Sequence, residues 1–338
     1  MKKLLTISVA AYHVEKYLGE CLDSFTSPEF AESLEVLVIN DGAGEEINAI
    51  AREYEKKYPS VFRLIDKENG GHGSTVNRGI EEASGLYFKT VDGDDRVRPE
   101  GLAELIQFLH STEVDLVVTD YQCFDDRSGA VVEENRNEFP GKKYRQVYSF
   151  DDISHGIYIN MHAAAFRTSL LRQMKRRLTE HCFYVDAEYI LYPVPQIESI
   201  VFLEKPVYQY RQGMTSQSMD IRNMQKNCGH HERVLEELLA FYRECQGAVS
   251  PEKAAYVAKG IARILVSQIK IYLSFPAAKE YRERIQNLEE RIKRDYPVVY
   301  DSVANTAVKL LRISRYRFYR VASAACRRAY GCRKGEKA

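Results

Sequence analysis

The first half of the chain alternates two hydrophobic periods. Apolar residues run almost unbroken through "LLTISVA" (4–10) and "LEVLVIN" (34–40), as in strands buried on both faces. Between and after them, "EKYLGECLDSF" sets Tyr17, Leu18, Cys21, Leu22 and Phe25 on one helical face, and "EEINAIAREYEKKY" repeats Ile47, Ile50, Ala51 and Tyr54 at the same spacing. "VFRLID" and "GLYFKTV" predict two further strands, separated by a helix over "GSTVNRGIEEAS" that ends near Gly85. A helix from Pro99 to His110 and the strand "VDLVVTDY" complete the series. Strands alternating with crossover helices predict an α/β domain whose mainly parallel sheet is covered on both faces.

Beyond about residue 215 the texture changes. "NCGHHERVLEELLAFYREC", "PEKAAYVAKGIARILVSQIKIYLSF" and "PAAKEYRERIQNLEERIKRDY" are long helical patterns with no convincing strand between them. The expected division is a domain over 1–217 and a helical region over 218–338. From Lys309 onward ten cations face a single acid, Glu336, and are interleaved with Tyr316, Phe318, Tyr319 and Tyr330. Val303, Ala307, Leu310, Leu311, Phe318 and Val321 fall near one stripe, which predicts a basic amphipathic helix. Such a helix either rests on an anionic membrane surface or docks on the protein with its basic face in water.

Composition narrows the class. An apolar share of 45% and a charged share of 28% belong to an ordinary globular protein. Lys plus Arg and Asp plus Glu both total 48, so no net field steers the chain to nucleic acid. Seven cysteines (21, 123, 182, 228, 245, 326 and 332) are scattered without metal-type spacing, and "MKKLLTISVAAYH" is too quickly polar for a signal peptide. These readings place the chain in a reducing cytoplasm, with the inner face of the cell membrane as the surface its tail would meet. No run approaches the roughly 20 apolar residues of a spanning helix.

Sheets of this kind bind ligands beyond the carboxyl ends of their strands. The loops there are "AYHVEKY", "NDGAGEE", "DKENGGHG" and "DGDDRVRP"; all carry acidic groups and one is glycine-rich. The last sets Asp92, Asp94 and Asp95 within four positions. Like charges so close need a compensating cation unless the aspartates only turn the chain and cap the next helix. Mg²⁺ and Mn²⁺ prefer oxygen ligands and are typically held by one or two carboxylates plus phosphate.

"ISVAAYHVEKYLGECLDSF", "EVLVINDGAGEE", "ENGGHGSTVNRGIEEASGLYFKTVDGDD" and "FYVDAEY" occur in an order and spacing that resembles glycosyltransferase family 2 over roughly residues 4–215. The resemblance implies a GT-A-type Rossmann-like fold, with a nucleotide-sugar half over about 1–120 and an acceptor half over about 121–217. It implies sugar transfer from a UDP-sugar, a Mn²⁺ or Mg²⁺ ion, and a glycan or lipid-linked acceptor of the kind used in capsule or exopolysaccharide assembly.

By the same resemblance "VDGDD" is the DxD-type motif, so Asp92, Asp94 and Asp95 are the metal candidates and Gly93 lets the diphosphate approach. Ala10, Tyr12, Glu15, Asp41, Asn69 and Gly70 are the other donor-site candidates, with Arg78 and Arg211. Asp41 corresponds to the aspartate that meets the uracil, or else closes an Asx-turn. Relatives often carry an arginine where Val76 stands, so its contact is lost or passes to Arg78, Lys67 or His72, although His72 reads more simply as a loop histidine. "HCFYVDAEY" supplies Asp186 as the base of an inverting transfer, with Glu188 as the second acid and Val185 where a glutamate is usual; Asp186 as a plain helix cap is the alternative. Glu188 and His162 are candidate acceptor contacts. "YQYRQGMTSQS" resembles the late loop over the donor phosphates. The QxxRW signature of processive synthases is absent, since the chain has no tryptophan. Two other readings stand beside this one: a catalytically inactive nucleotide-sugar-binding partner subunit, and a nucleotidyltransferase, which would need a glycine-rich basic loop after the first strand.

Overall fold

The computed structural model describes residues 3–213 and 220–330. The chain divides into two compact units, residues 1–214 and 215–338. In the first, β1 (Leu5–Ala11), β2 (Leu34–Asp41), β3 (Phe62–Lys67) and β4 (Tyr87–Asp92) run parallel. The helices α1 (Glu15–Asp23), α2 (Glu45–Lys57) and α3 (His72–Glu82) connect them. Leu5, Ile7 and Val9 of β1 and Val36, Leu37, Val38 and Ile39 of β2 are fully buried, which is why those segments read as unbroken apolar runs. The register places Ala10 opposite Asp92 and Asp41 opposite Lys67, so the four strands end on one edge.

The rest of the sheet is mixed. After β5 (Arg96–Val97) and α4 (Pro99–Leu109) come β6 (Leu116–Asp125), β7 (Val131–Asn135), β8 (Val147–Ser149) and α5 (Phe150–Ser154). Then follow β9 (Ala164–Arg167), α6 (Thr168–Arg172), α7 (Asp186–Leu191) and β10 (Ser199–Gln212). The order is β3-β2-β1-β4-β9-β6-β10-β5, with β9 antiparallel to both β4 and β6, and β10 parallel to β6. β7 and β8 add antiparallel edges. The expected late loop at 208–218 is corrected in its first part: Tyr208 to Gln212 are the end of β10, hydrogen-bonded into the sheet, and Gln217 lies outside the described residues.

The second unit is helical among its described residues: α8 (Ile221–Lys226), α9 (Cys228–Cys245), α10 (Pro251–Ser274), α11 (Lys279–Asp295), α12 (Pro297–Asp301), α13 (Thr306–Ile313) and α14 (Tyr319–Ala329). Side-chain oxygens of Asp220, Ser250 and Asn305 cap α8, α10 and α13. Two polar pairs sit inside it. His231 meets Gln268 at 2.7 Å, and buried Glu289 accepts from Arg312 Nη2 at 2.9 Å and from the Tyr316 hydroxyl at 3.0 Å. The single amphipathic helix expected for the tail is not formed. Arg315 and Tyr316 take positive φ (50° and 62°) and break the chain into α13 and α14. Val303, Val308 and Leu311 turn inward, while Leu310, Ile313, Phe318 and Val321 stay exposed. Residues from 331 onward, with Arg333, Lys334 and Lys337, lie outside the described part.

Candidate functional site

The site forms where β1, β2, β3 and β4 end. Asp41 closes β2 and is buried, and its carboxylate organises the loop after β3. Oδ1 accepts from Lys67 Nζ (2.6 Å), the Gly70 amide (2.9 Å) and the Ser74 hydroxyl (3.2 Å). Oδ2 accepts from the Gly71 amide (2.8 Å) and Asn69 Nδ2 (3.1 Å). Asn69 and Gly70 are thus bound to Asp41, and Lys67 is spent on it. Gly71 (φ 79°) turns the chain into α3, and at Gly73 a side chain would meet the Thr179 carbonyl at 2.2 Å. The loop is therefore pressed against the segment that leads to α7.

At the end of β4 the motif folds tightly back: Gly93 donates to the Ala10 carbonyl at 2.9 Å, where a Cβ would approach that oxygen to 2.8 Å. Asp95 is buried. Its Oδ2 accepts from the Tyr208 hydroxyl and its Oδ1 from the Arg211 amide, both at 2.6 Å. Burial, then Asp94 and Asp92, push its pKa well up. Asp94 is raised to about 6 by burial and by Asp92. Asp92 moves the other way: burial opposes its charge, but the His72 hydrogen bond and the nearby His162 outweigh it.

Arg211, expected to reach a diphosphate, is corrected by its surroundings. It is buried, with Nε on the Asp94 carbonyl (2.6 Å), Nη1 on Asp126 (3.0 Å) and Nη2 on Glu20 (2.6 Å), between the rings of Tyr17 and Phe124. It braces the DGDD loop from behind. Arg78 pairs with Glu82 one turn along α3 at 2.6 Å and is not among the groups around Asp92. Glu188 is also corrected: it is wholly buried, and its oxygens accept the Thr179 amide (2.7 Å) and hydroxyl (2.8 Å), so it anchors the approach to α7 instead of meeting an acceptor. Tyr12 is exposed just beyond β1, and Glu15 opens α1 with His13 Nδ1 3.9 Å away.

His162 joins the carboxylates. Among the described residues, Asp92, Asp95 and His162 each offer a ligand atom, all within 4.8 Å of one another. Asp94 is outside that group. The rings of Tyr121, Tyr208 and Tyr210 surround His162, and burial lowers its pKa to about 4, so the imidazole is neutral. Two carboxylates and a neutral imidazole fit a divalent cation such as Mn²⁺. Beneath them Lys89 is fully buried, donates to the His162 carbonyl at 2.6 Å, and is lowered to about 7 by burial.

His72, which by sequence reads more simply as a loop histidine than as a substitute for the missing arginine, is the first residue of α3. Its Nε2 lies 3.0 Å from Asp92 Oδ1, and its Nδ1 lies 3.9 Å from Asp186 Oδ1. Burial disfavours the charged ring, yet Asp92, Asp186 and Asp41 raise it to about 9. Asp186 opens α7 with 57% of its side chain exposed. Desolvation, with Asp92, raises its pKa while His72 opposes the rise. A carboxylate that is reachable from solvent and raised in this way can take a proton.

The sequence profile of glycosyl transferase family 2 matches residues 6–174. The chain is similar to the putative glycosyltransferase EpsH of Bacillus subtilis, at 25% identity over 63% of this chain and 62% of EpsH, so it spans less than two thirds of that relative. It is also similar to the uncharacterized glycosyltransferase EpsJ of the same organism, at 25% identity over 93% of this chain and 91% of EpsJ. S. aureus TarS residues 1–349, solved in complex with UDP-GlcNAc, shares the fold, with TM-score 0.61 and 17% identity over 97% of this chain and 90% of that one.

Proposed function

The chain belongs to glycosyl transferase family 2, and from that premise we propose that it moves a hexose-type sugar from a UDP-sugar to a hydroxyl of a glycan or lipid-linked acceptor. The transfer inverts the anomeric carbon, adds one sugar per encounter and serves surface polysaccharide synthesis. One observation carries the reading: Asp92, at the end of β4, and the solvent-open Asp186 flank the same imidazole. The UDP-GlcNAc bound by TarS supports a UDP-linked donor.

Asp186 takes the proton of the attacking hydroxyl as general base. Asp92, Asp95 and His162 are the residues that would hold Mn²⁺ or Mg²⁺, which supplies charge neutralisation for the departing diphosphate when bound. Asp41, through Lys67, Asn69, Gly70 and Gly71, keeps the loop beside the donor in shape. Ala10, Tyr12, Glu15, Gly93 and Asp94 line the donor side.

No described helix is long and apolar enough to cross a membrane. Exposed Leu310, Ile313, Phe318 and Val321, set among Lys309, Arg315, Arg317 and Arg320, support contact with an anionic leaflet, which suits a lipid-linked acceptor on the cytoplasmic side. A thermal-shift screen of UDP-, GDP- and dTDP-sugars with and without Mn²⁺ tests the donor. Stabilisation by UDP-sugars that depends on the metal is expected; equal shifts from all three nucleotides would overturn the assignment. Metal-dependent release of UDP from the stabilising sugar distinguishes an enzyme from a partner subunit that only binds.

A further inference from the structure

A general base must be held in one orientation, and the structure offers a group that could hold Asp186. His72 Nε2 is 3.0 Å from Asp92 Oδ1. Its Nδ1 is sealed from solvent and has no hydrogen-bond partner among the described residues, yet Asp186 Oδ1 stands 3.9 Å away. That is too long for a hydrogen bond and short enough for a side-chain rotation to close. Buried polar atoms without partners are uncommon, and one facing a solvent-exposed carboxylate marks a contact made in another state. Asp186 is free to make it, being exposed in the first turn of α7.

The neighbouring cations cannot substitute. Lys67 Nζ is spent on Asp41, the Glu68 carbonyl and Ser74, and Arg78 pairs with Glu82. Val76, one turn after His72 on the same face of α3, is buried and apolar. The arginine expected near Val76 has thus no equivalent there, and His72 is the basic side chain of this loop that contacts the motif.

We infer that His72 is a positioning residue that joins the two halves of the site: Asp186 swings onto Nδ1 when substrates bind, while Nε2 keeps Asp92 turned toward the diphosphate. This rests on the glycosyl-transfer reading with Asp186 as base. One Asp186 oxygen is fixed by the imidazole and the other faces the acceptor. The acceptor oxygen bonds to the anomeric carbon as the carbon–phosphate-oxygen bond breaks. The hydroxyl proton passes to Asp186, UDP leaves with the electron pair, and the imidazole neither gains nor loses a proton.

The test compares His72→Gln and His72→Asn in the full chain. A glutamine amide reaches the position of Nε2 and an asparagine amide that of Nδ1, so each variant keeps one link and loses the other. His72→Gln is expected to lower kcat about 10- to 100-fold with KM for the UDP-sugar and calorimetric affinity for UDP, with and without Mn²⁺, within about threefold. His72→Asn is expected to weaken UDP binding in Mn²⁺ about tenfold or more and to keep a higher kcat than His72→Gln. Wild-type kcat in His72→Gln, or equal losses of kcat, affinity and melting temperature in both variants, overturns the inference. Asp186→Asn run in parallel separates the two claims. If it turns over at the wild-type rate, the base assignment itself fails; if it is inactive while His72→Gln is normal, the positioning role alone falls.

Discussion

Removing one hydroxyl should loosen the whole carboxylate cluster. Tyr208→Phe keeps the ring that packs on His162 (centroids 4.6 Å apart) and under Lys89 (5.6 Å), so volume and stacking are conserved. What disappears is an oxygen that donates to Asp95 Oδ2 at 2.6 Å and accepts the Asp92 amide at 3.2 Å. Both partners are then stranded away from water, since Tyr208 and Asp95 are buried. An orphaned buried group costs about 1–3 kcal/mol, more when charged, so two of them point to a loss of about 3 kcal/mol. For a domain of this size that is a fall in Tm of about 6–12 °C.

Function should fall with it. Groups that orient metal ligands are worth about 10- to 100-fold in metal affinity, so Mn²⁺-dependent UDP binding should weaken by that factor. Urea unfolding and calorimetric UDP titration in Mn²⁺ measure the two effects. Tyr210→Phe, on the same strand and also beside His162, is the matched control and should change stability by about 0.5 kcal/mol or less. If Tyr208→Phe unfolds at the wild-type urea concentration and binds UDP as tightly, the hydroxyl is not what fixes Asp95 and Asp92.

The contrast between the two tyrosines shows where sequence stops being informative. β1, β2, β4 and β6 announced themselves because largely apolar runs are required of strands covered on both faces, whereas β3, a half-buried strand at the sheet edge, was read from the shorter run "VFRLID". β10 did not, because Glu204, Lys205 and Pro206 interrupt it and its pairing with β6 shifts register between Leu203 and Tyr208. Missing β10 meant missing what it carries: Tyr208 and Arg211 read as a loop, when they are the struts behind Asp95 and Asp94. The aspartates themselves were legible, since three acids after a strand need a reason to be together. His72 was legible only as one of three substitutes for a missing arginine, because a histidine in a glycine-rich loop is chemically ambiguous until the register of α3 and β4 brings it to Asp92. Nor could spacing reveal that three tyrosines from β6 and β10 keep His162 neutral, or that Glu20, Asp126 and Arg211, from three distant segments, form one ion cluster.

Asp186→Ala should lower turnover about 10²- to 10⁴-fold while UDP-sugar affinity stays within a few-fold, measured by product release and calorimetry. Because Asp186 must be ionised to act, and its pKa is raised, the acidic limb of kcat against pH should lie above the ordinary carboxylate range; a limb near pH 4 would contradict that environment. Ile313→Glu with Phe318→Glu and Val321→Glu should abolish co-sedimentation with anionic vesicles and leave Tm unchanged, since all three side chains are exposed; equal pelleting would remove the membrane contact. His231 offers a stability test in the helical unit. It is buried between α9 and α10, and burial lowers its pKa from 6.5 despite the Gln268 contact and Glu232. Below pH 6.5 the unfolded chain binds a proton there that the native state refuses, so the unfolded state holds more protons and stability falls as pH falls. The slope from one such group is at most about 1.4 kcal/mol per pH unit, and it vanishes above the unfolded pKa. His231→Gln removes the proton uptake, so its deficit against wild type in urea should be constant from pH 7 to 8 and should shrink toward pH 5. Unfolding curves that stay parallel across that range would mean that native His231 protonates as readily as it does in the unfolded chain.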